Sequence, residues 1–186
     1  AYKRTADEEG MIYQSIHAPF DKAAKMWMPQ GEAKEAAGEL LECLADCERH
    51  GVPIMVVHAF IGFQEQNPND FGVENFREVV EAARKAHVKI AFENTEGEAY
   101  LEKLLTSFAE YDNVGFCWDT GHELCYNRGR DMLEKYGDRL FAMHLNDNLG
   151  IRDFGGKITW MDDLHLLPFD GVVDWRGVAR RLQRRR

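Results

Sequence analysis

Eight side chains able to bind a metal or move a proton recur at comparable places along this chain. "MIYQSIH" ends in His17, "PIMVVH" in His58, "VKIAFE" in Glu93, "VGFCWD" in Asp119 and "LFAMH" in His144. His122 follows Asp119 by three residues, and Asp163 with His165 makes an Asp-x-His pair. Imidazole mixed with carboxylate is the donor set of Zn²⁺ and Mn²⁺, and it also admits Co²⁺ or Mg²⁺. A lone His at the end of an apolar run is ordinarily structural, and a lone Asp before a helix is ordinarily a cap or a solvated charge. Five of the seven histidines in equivalent positions are not explained one at a time, so a divalent-metal site is expected. His50 and His87 fall at helix ends and are expected to be structural. Asp147, three residues after His144, has two open roles: orienting a ligand from behind, or capping the loop.

These groups need elements to carry them. The five runs, 11–17, 53–58, 88–93, 114–119 and 140–144, are short and rich in β-branched residues, as buried strands are. Between them lie segments of helical period. Residues 31–50 place Ala33, Ala36, Ala37, Leu40, Leu41, Leu44 and Cys47 on one stripe, with Gly51 as the stop. Helices are also expected over 73–87, 98–109, 129–136 and 173–182, the last capped by Asp174 with Trp175 and Val178 facing inward. Strand–helix alternation with nearly all-apolar strands predicts a parallel sheet covered by helices. No glycine-rich phosphate fingerprint follows any strand, so a barrel is favoured over a dinucleotide-binding sheet. In parallel barrels the strand carboxyl ends converge on one space, and the eight groups sit there. Residues 59–72 and 147–171 are long loops, a common place for function.

The bulk composition narrows the partners. A chain of 186 residues, 45% hydrophobic, suits a single domain over 1–186. The balance of 23 basic against 32 acidic residues gives a net charge of −9, which disfavours nucleic acid as a partner. Arg180, Arg181, Arg184, Arg185 and Arg186 are expected to be the basic end of a helix or a solvated tail. Cys43, Cys47, Cys117 and Cys125 form no CxxC pair, and a reducing, cytoplasmic setting is expected. No apolar run approaches the roughly 20 residues of a membrane span.

At these residues the chain resembles the xylose-isomerase-like (β/α)₈ barrels, which include sugar epimerases and isomerases and the endonuclease IV repair nucleases. The segments that carry the resemblance are "IHAPF", "VVHAF", "FENTEG", "WDTGH", "MHLNDN" and "DDLHLLPFDGVVDW", in the family's order. The resemblance implies Glu93, Asp119 and His144 as ligands of a central metal, completed by a glutamate from a last strand. It places further ions at His17 and His58 with Glu93 bridging, and at His122, Asp163 and His165. Only five βα units of the expected eight are recognisable, without the first two strands or the last. That predicts an incomplete barrel: a truncated product, or a chain that a partner, such as another copy in a homo-oligomer, must close.

The activity implied is a divalent-metal-dependent sugar or polyol isomerase or epimerase, in which the metal stabilises an enediolate. Glu93 would shuttle the proton, and His122 and Asp147 would hold substrate. The alternatives are a zinc-dependent abasic-site nuclease and a metal-binding remnant without turnover. Trp27, Phe60, Phe63 and Trp160 are candidates for a sugar pocket, with helix packing the plainer role for each. Lys157, Arg152 and the terminal arginines are the candidates for holding a phosphate.

Overall fold

The five apolar runs pair side by side in the order in which they occur. In the computed structural model, which describes residues 2–151 and 157–184, β1 (Ser15–His17), β2 (Ile54–His58), β3 (Lys89–Glu93), β4 (Val114–Asp119) and β5 (Leu140–His144) form one parallel sheet of order β1-β2-β3-β4-β5. The helices are α1 (Tyr2–Glu8), α2 (Gln30–His50), α3 (Asp70–Lys85), α4 (Glu98–Ser107), α5 (Thr120–Cys125), α6 (Met132–Tyr136) and α7 (Trp175–Gln183). The result is a half-barrel of five parallel strands with helices around it, the incomplete barrel that the sequence predicts.

Alternation along the strands creates two faces. Met55, Val57, Ile90, Phe92, Phe116 and Trp118 point outward into the main core beneath the helices. Ile54, Val56, Ala91 and Cys117 point inward and form a second, smaller cluster with Phe141 and Ala142. Each helix contributes its apolar stripe to the outer core. On α2 the buried residues are Ala33, Ala36, Ala37, Leu40, Leu44 and Cys47, and Gly51 ends the helix at φ 64°, where its N–H reaches Cys47 O and Glu48 O. Leu41, on the predicted stripe, is only half-buried. Trp27 and Phe60 belong to this core and not to a pocket.

The boundaries differ from expectation where caps or partners decide. The first strand is confined to Ser15–His17 because its only partner begins at Ile54, just after Pro53, which has no N–H to give. Met11 and Ile12 are therefore exposed, and α1 before them was not anticipated. Asn69 starts α3 three residues early by accepting the Gly72 N–H at 3.1 Å. Asp131 starts α6 late, after Arg128 and Gly129 take left-handed backbone angles. Asp174 caps α7 as predicted, with Val178 buried and Trp175 half-buried. Among the described residues no helix is long and apolar enough to cross a membrane.

Candidate metal centre

Register brings the strand-end groups together. His58 pairs across the ladder with Glu93, and Asp119 with His144. Glu93 stands at the centre, fully buried on a strand flanked on both sides. Its Oε2 lies 3.2 Å from His17 Nε2 and 3.3 Å from His58 Nε2. Its Oε1 lies 2.8 Å from His144 Nδ1 and 3.3 Å from His122 Nδ1. The sheet curls so far that His17 of the first strand stacks on His144 of the last, with ring centroids 5.5 Å apart. Phe20 stacks on His58 at 4.5 Å and walls the group.

Asp119 is engaged twice. Its Oδ1 accepts the His122 backbone N–H at 2.7 Å, which caps α5, and its Oδ2 accepts from Asn146 Nδ2 at 2.6 Å. Asn94 clamps the same residue, accepting the Asp119 N–H at 2.7 Å and donating to its carbonyl at 2.9 Å. Neither asparagine stands out among the ligand-type residues, though both lie in the motifs "FENTEG" and "MHLNDN". His122 Nε2 faces Asp163 Oδ2 at 3.0 Å, and Asp163 Oδ1 lies 3.0 Å from His165 Nδ1. All eight strand-end and loop groups thus meet at the carboxyl end of the sheet. Seven of them, all but the fully buried Asp119, line a cavity of about 710 Å³ together with Phe63 and Trp160. His50 and His87 are not part of it.

Asp147 lies elsewhere, which corrects its assignment to substrate. Its fully buried carboxylate accepts from the N–H groups of Asn148, Phe169 and Val173 and from Trp175 Nε1, all at 2.8–2.9 Å. The backbone pairs with Leu166 in an isolated antiparallel bridge. Gly171 is required there, since a Cβ would sit 2.2 Å from Asp147 Oδ1. Asp147 is the post to which Asn148 and the segment 166–175 are tied. Of the phosphate candidates, Lys157 lines a neighbouring hollow instead, Arg181 pairs with Glu123 and Asp131, and Arg152, Arg185 and Arg186 lie outside the described residues.

Charge in the centre follows from these contacts. Burial pushes the Glu93 carboxyl upward, but bonds from His122, His144, His17 and His58 outweigh it and hold Glu93 well below the ordinary carboxylate range. Burial, with Glu93 nearby, pushes Asp119 up to about 6 despite His122. Burial disfavours a charged His122, yet Asp119, Asp163 and Glu93 raise it well above an ordinary imidazole. Asp163 is held low by His122 and His165 against its own burial.

The proton inventory tests whether a cation fits. His17 Nδ1 lies 2.8 Å from Ala18 O, which only accepts, so that nitrogen carries a proton. In a neutral ring Nε2 is then a bare lone pair aimed at Glu93 Oε2, acceptor against acceptor. A second proton or a cation resolves the conflict. His58 faces Glu93 Oε2 through Nε2, while its Nδ1 is buried without a hydrogen-bond partner. Ligand atoms of His17, His58 and Glu93 lie within 4.8 Å of one another, as do those of Glu93, Cys117 and His144, and of Asp119, His122 and His165. These mixed donor sets fit a borderline divalent ion.

A parallel barrel sheet with imidazoles and carboxylates converging at its carboxyl end defines the class to which this chain belongs. The sequence model of the xylose isomerase-like TIM barrel family matches residues 1–186, and the chain belongs to that family. A Sinorhizobium fredii (strain NBRC 101917 / NGR234) protein called y4fM is 36% identical over 112 residues, or 57% of this chain and 33% of that protein. The match therefore spans about a third of that relative. Among solved structures, a D-tagatose 3-epimerase-like protein superposes with a TM-score of 0.75 at 20% identity, covering 98% of this chain and 70% of the other. A xylose isomerase domain protein from Planctomyces limnophilus gives 0.78 at 17% identity, with 98% and 69% covered. IOLI protein with a binding zinc atom gives 0.69 at 18%, with 100% and 69% covered. At such identities these likenesses show the fold.

Proposed function

We propose that this chain carries the centre of a divalent-metal-dependent sugar or polyol isomerase or epimerase. The observation that supports it most is Glu93: an ionised carboxylate on the floor of a sugar-sized cavity, ringed by four imidazoles, three at strand ends and His122 on α5. His17, His58 and His144, with Glu93 and Asp119, would hold the ion. When bound, the ion supplies a Lewis acid that draws electron density from a substrate carbonyl or hydroxyl oxygen. Glu93 is already in the deprotonated state that a proton acceptor needs at neutral pH, and it takes the proton from the carbon beside that oxygen. His122 is pinned through both ring nitrogens, Nδ1 to Asn94 O and Nε2 to Asp163, so it would meet a substrate hydroxyl in exchange for its Asp163 contact. Phe20 and Phe63 limit water on the apolar side of the cavity. Among the solved structures with this fold are the tagatose-epimerase-like and zinc-bound proteins, which agree with this reading.

The test is a panel of ketoses, aldoses and polyols in D₂O with Mn²⁺, Co²⁺, Zn²⁺ or Mg²⁺. Solvent deuterium at the carbon beside the carbonyl is expected in the product, and Glu93→Gln should lower the rate by about 10²-fold or more. Turnover without deuterium incorporation overturns the proton-transfer mechanism. A second reading, a zinc-dependent nuclease acting at abasic sites, draws on the gathering of His122, Asp163 and His165 around one corner. The charge of −9 opposes it. Zinc-dependent cleavage of a duplex carrying one abasic site would establish it over the isomerase.

A further inference from the structure

Below its ligand layer the inner face of the sheet is apolar. Ile54, Val56 and Ala91, with Phe141 and Ala142 against them, make up that layer, and packing among them asks for no sulfur. Cys117 stands with them, fully buried, on the inward side of β4. Two features raise it above a small buried residue. It is the direct ladder partner of Glu93. Its Sγ also lies within 4.8 Å of both a Glu93 oxygen and a His144 nitrogen, which are equally close to each other. Three unlike ligand atoms, O, S and N, thus converge on the β4 side of Glu93.

We propose that Cys117 is a metal-selecting ligand, closing a corner with Glu93 and His144 that takes a thiophilic divalent ion such as Zn²⁺, Co²⁺ or Cd²⁺ in preference to Mg²⁺ or Mn²⁺. This rests on the reading that the centre around Glu93 holds a divalent ion. Carboxylate and imidazole alone accept all of these metals, whereas a thiolate discriminates by softness. Binding breaks the Sγ–H bond and forms a metal–sulfur bond. The proton is released as the ion takes its place, and no oxidation state changes. The corner formed by His17, His58 and Glu93, and that formed by Asp119, His122 and His165, contain no sulfur. Cys43, Cys47 and Cys125 belong to no such group among the described residues.

The assignment is tested by titrating the metal-free, full-length protein with Co²⁺ and with Cd²⁺ and recording near-ultraviolet thiolate-to-metal charge transfer. A saturable band is expected in the wild type. In Cys117→Ser the band should vanish while visible Co²⁺ absorption persists, and the preference for Zn²⁺ over Mn²⁺ should fall at least about tenfold. Wild-type protein that binds Co²⁺ without the band overturns the proposal even if the variant fails to fold. Survival of the band in Cys117→Ser overturns it too, as does absence of Co²⁺ and Cd²⁺ binding. The isomerase reading fails separately: a thiolate band without deuterium exchange on any sugar leaves the ligand in place and removes the activity.

Discussion

Replacing Asp147 with asparagine keeps the shape of the side chain and reverses half of its hydrogen-bonding sense. Oδ1 accepts from Asn148 N and Val173 N, and Oδ2 from Phe169 N and Trp175 Nε1. An amide retains one acceptor oxygen and turns an NH₂ towards the other two donors, so two of the four bonds are lost in either orientation. Bonds to a charged acceptor are worth roughly 1.5–3 kcal/mol each, and buried donors left unpaired add a penalty. A destabilisation of about 3–5 kcal/mol follows, concentrated in the segment 166–175 that Asp147 holds. Urea unfolding followed by tryptophan fluorescence, which includes the Trp175 indole, should move well ahead of the far-ultraviolet circular dichroism transition. Amide exchange at Phe169 and Val173 should accelerate most. The pH dependence carries its own sign. Burial raises the Asp147 carboxyl, but the donors of Val173, Trp175 and Asn148 bring it below the ordinary carboxylate value. Its contribution is therefore complete above the unfolded pKa of about 3.9 and is lost as pH falls through the lower folded value. The gap between wild type and variant should narrow under strongly acid conditions. A variant within about 1 kcal/mol of wild type at neutral pH, or an exchange pattern unchanged at Phe169 and Val173, would refute the role of Asp147 as the loop's post.

Arg181→Ala should cost about 3 kcal/mol in urea unfolding, because it removes the counter-charge that binds the buried Glu123 carboxylate at 2.7 and 2.9 Å, leaving it the neutral Trp118 and Met132 N–H donors, and uncovers the Trp118 ring. Glu123→Gln should be milder, since no charge is then left unpaired. Of the four cysteines, Cys43 alone should react quickly with a disulfide reagent in the native protein: the other three are buried, and the Cys47 thiol lowers the Cys43 pKa by hydrogen-bonding it. Mass spectrometry should find one fast adduct, absent in Cys43→Ser. More than one fast adduct would mean that the helix layer opens more readily than its packing implies.

The strands were legible because a parallel sheet covered by helices leaves apolar runs, whether buried throughout as in β4 or half-buried as in β5, and β2 to β5 fall within a residue of those runs. So were the strand-end groups, whose shared position in the runs already implied a shared place in space. "MIYQSIH" misled because a strand extends only as far as its neighbour does, and among the described residues no strand lies beside residues 11–14. Asp147 misled for another reason. Its residue type and its nearness to His144 fit a ligand, whereas its role depends on donors at Phe169, Val173 and Trp175, more than twenty residues later. Asn94 was hidden by its type: a clamp made from both ends of one amide leaves no spacing to notice. Cys117 looked like an ordinary small core residue until register set it beside Glu93.

The contact between His17 and His144 has a consequence for assembly. Neighbouring strands are consecutive in the chain, so every ladder closes only one helix-bearing connection. The imidazole pair instead joins the first strand to the last, and it exists only when all the pairings between them are in place. The extra loop entropy is modest, about 0.6 kcal/mol for each doubling of length. What the contact demands is completeness. Ring resonances of the two histidines would therefore act as an all-or-nothing gauge of maturation. A chain injured in any one strand would fall silent at that gauge while its helices still gave a nearly intact dichroism spectrum.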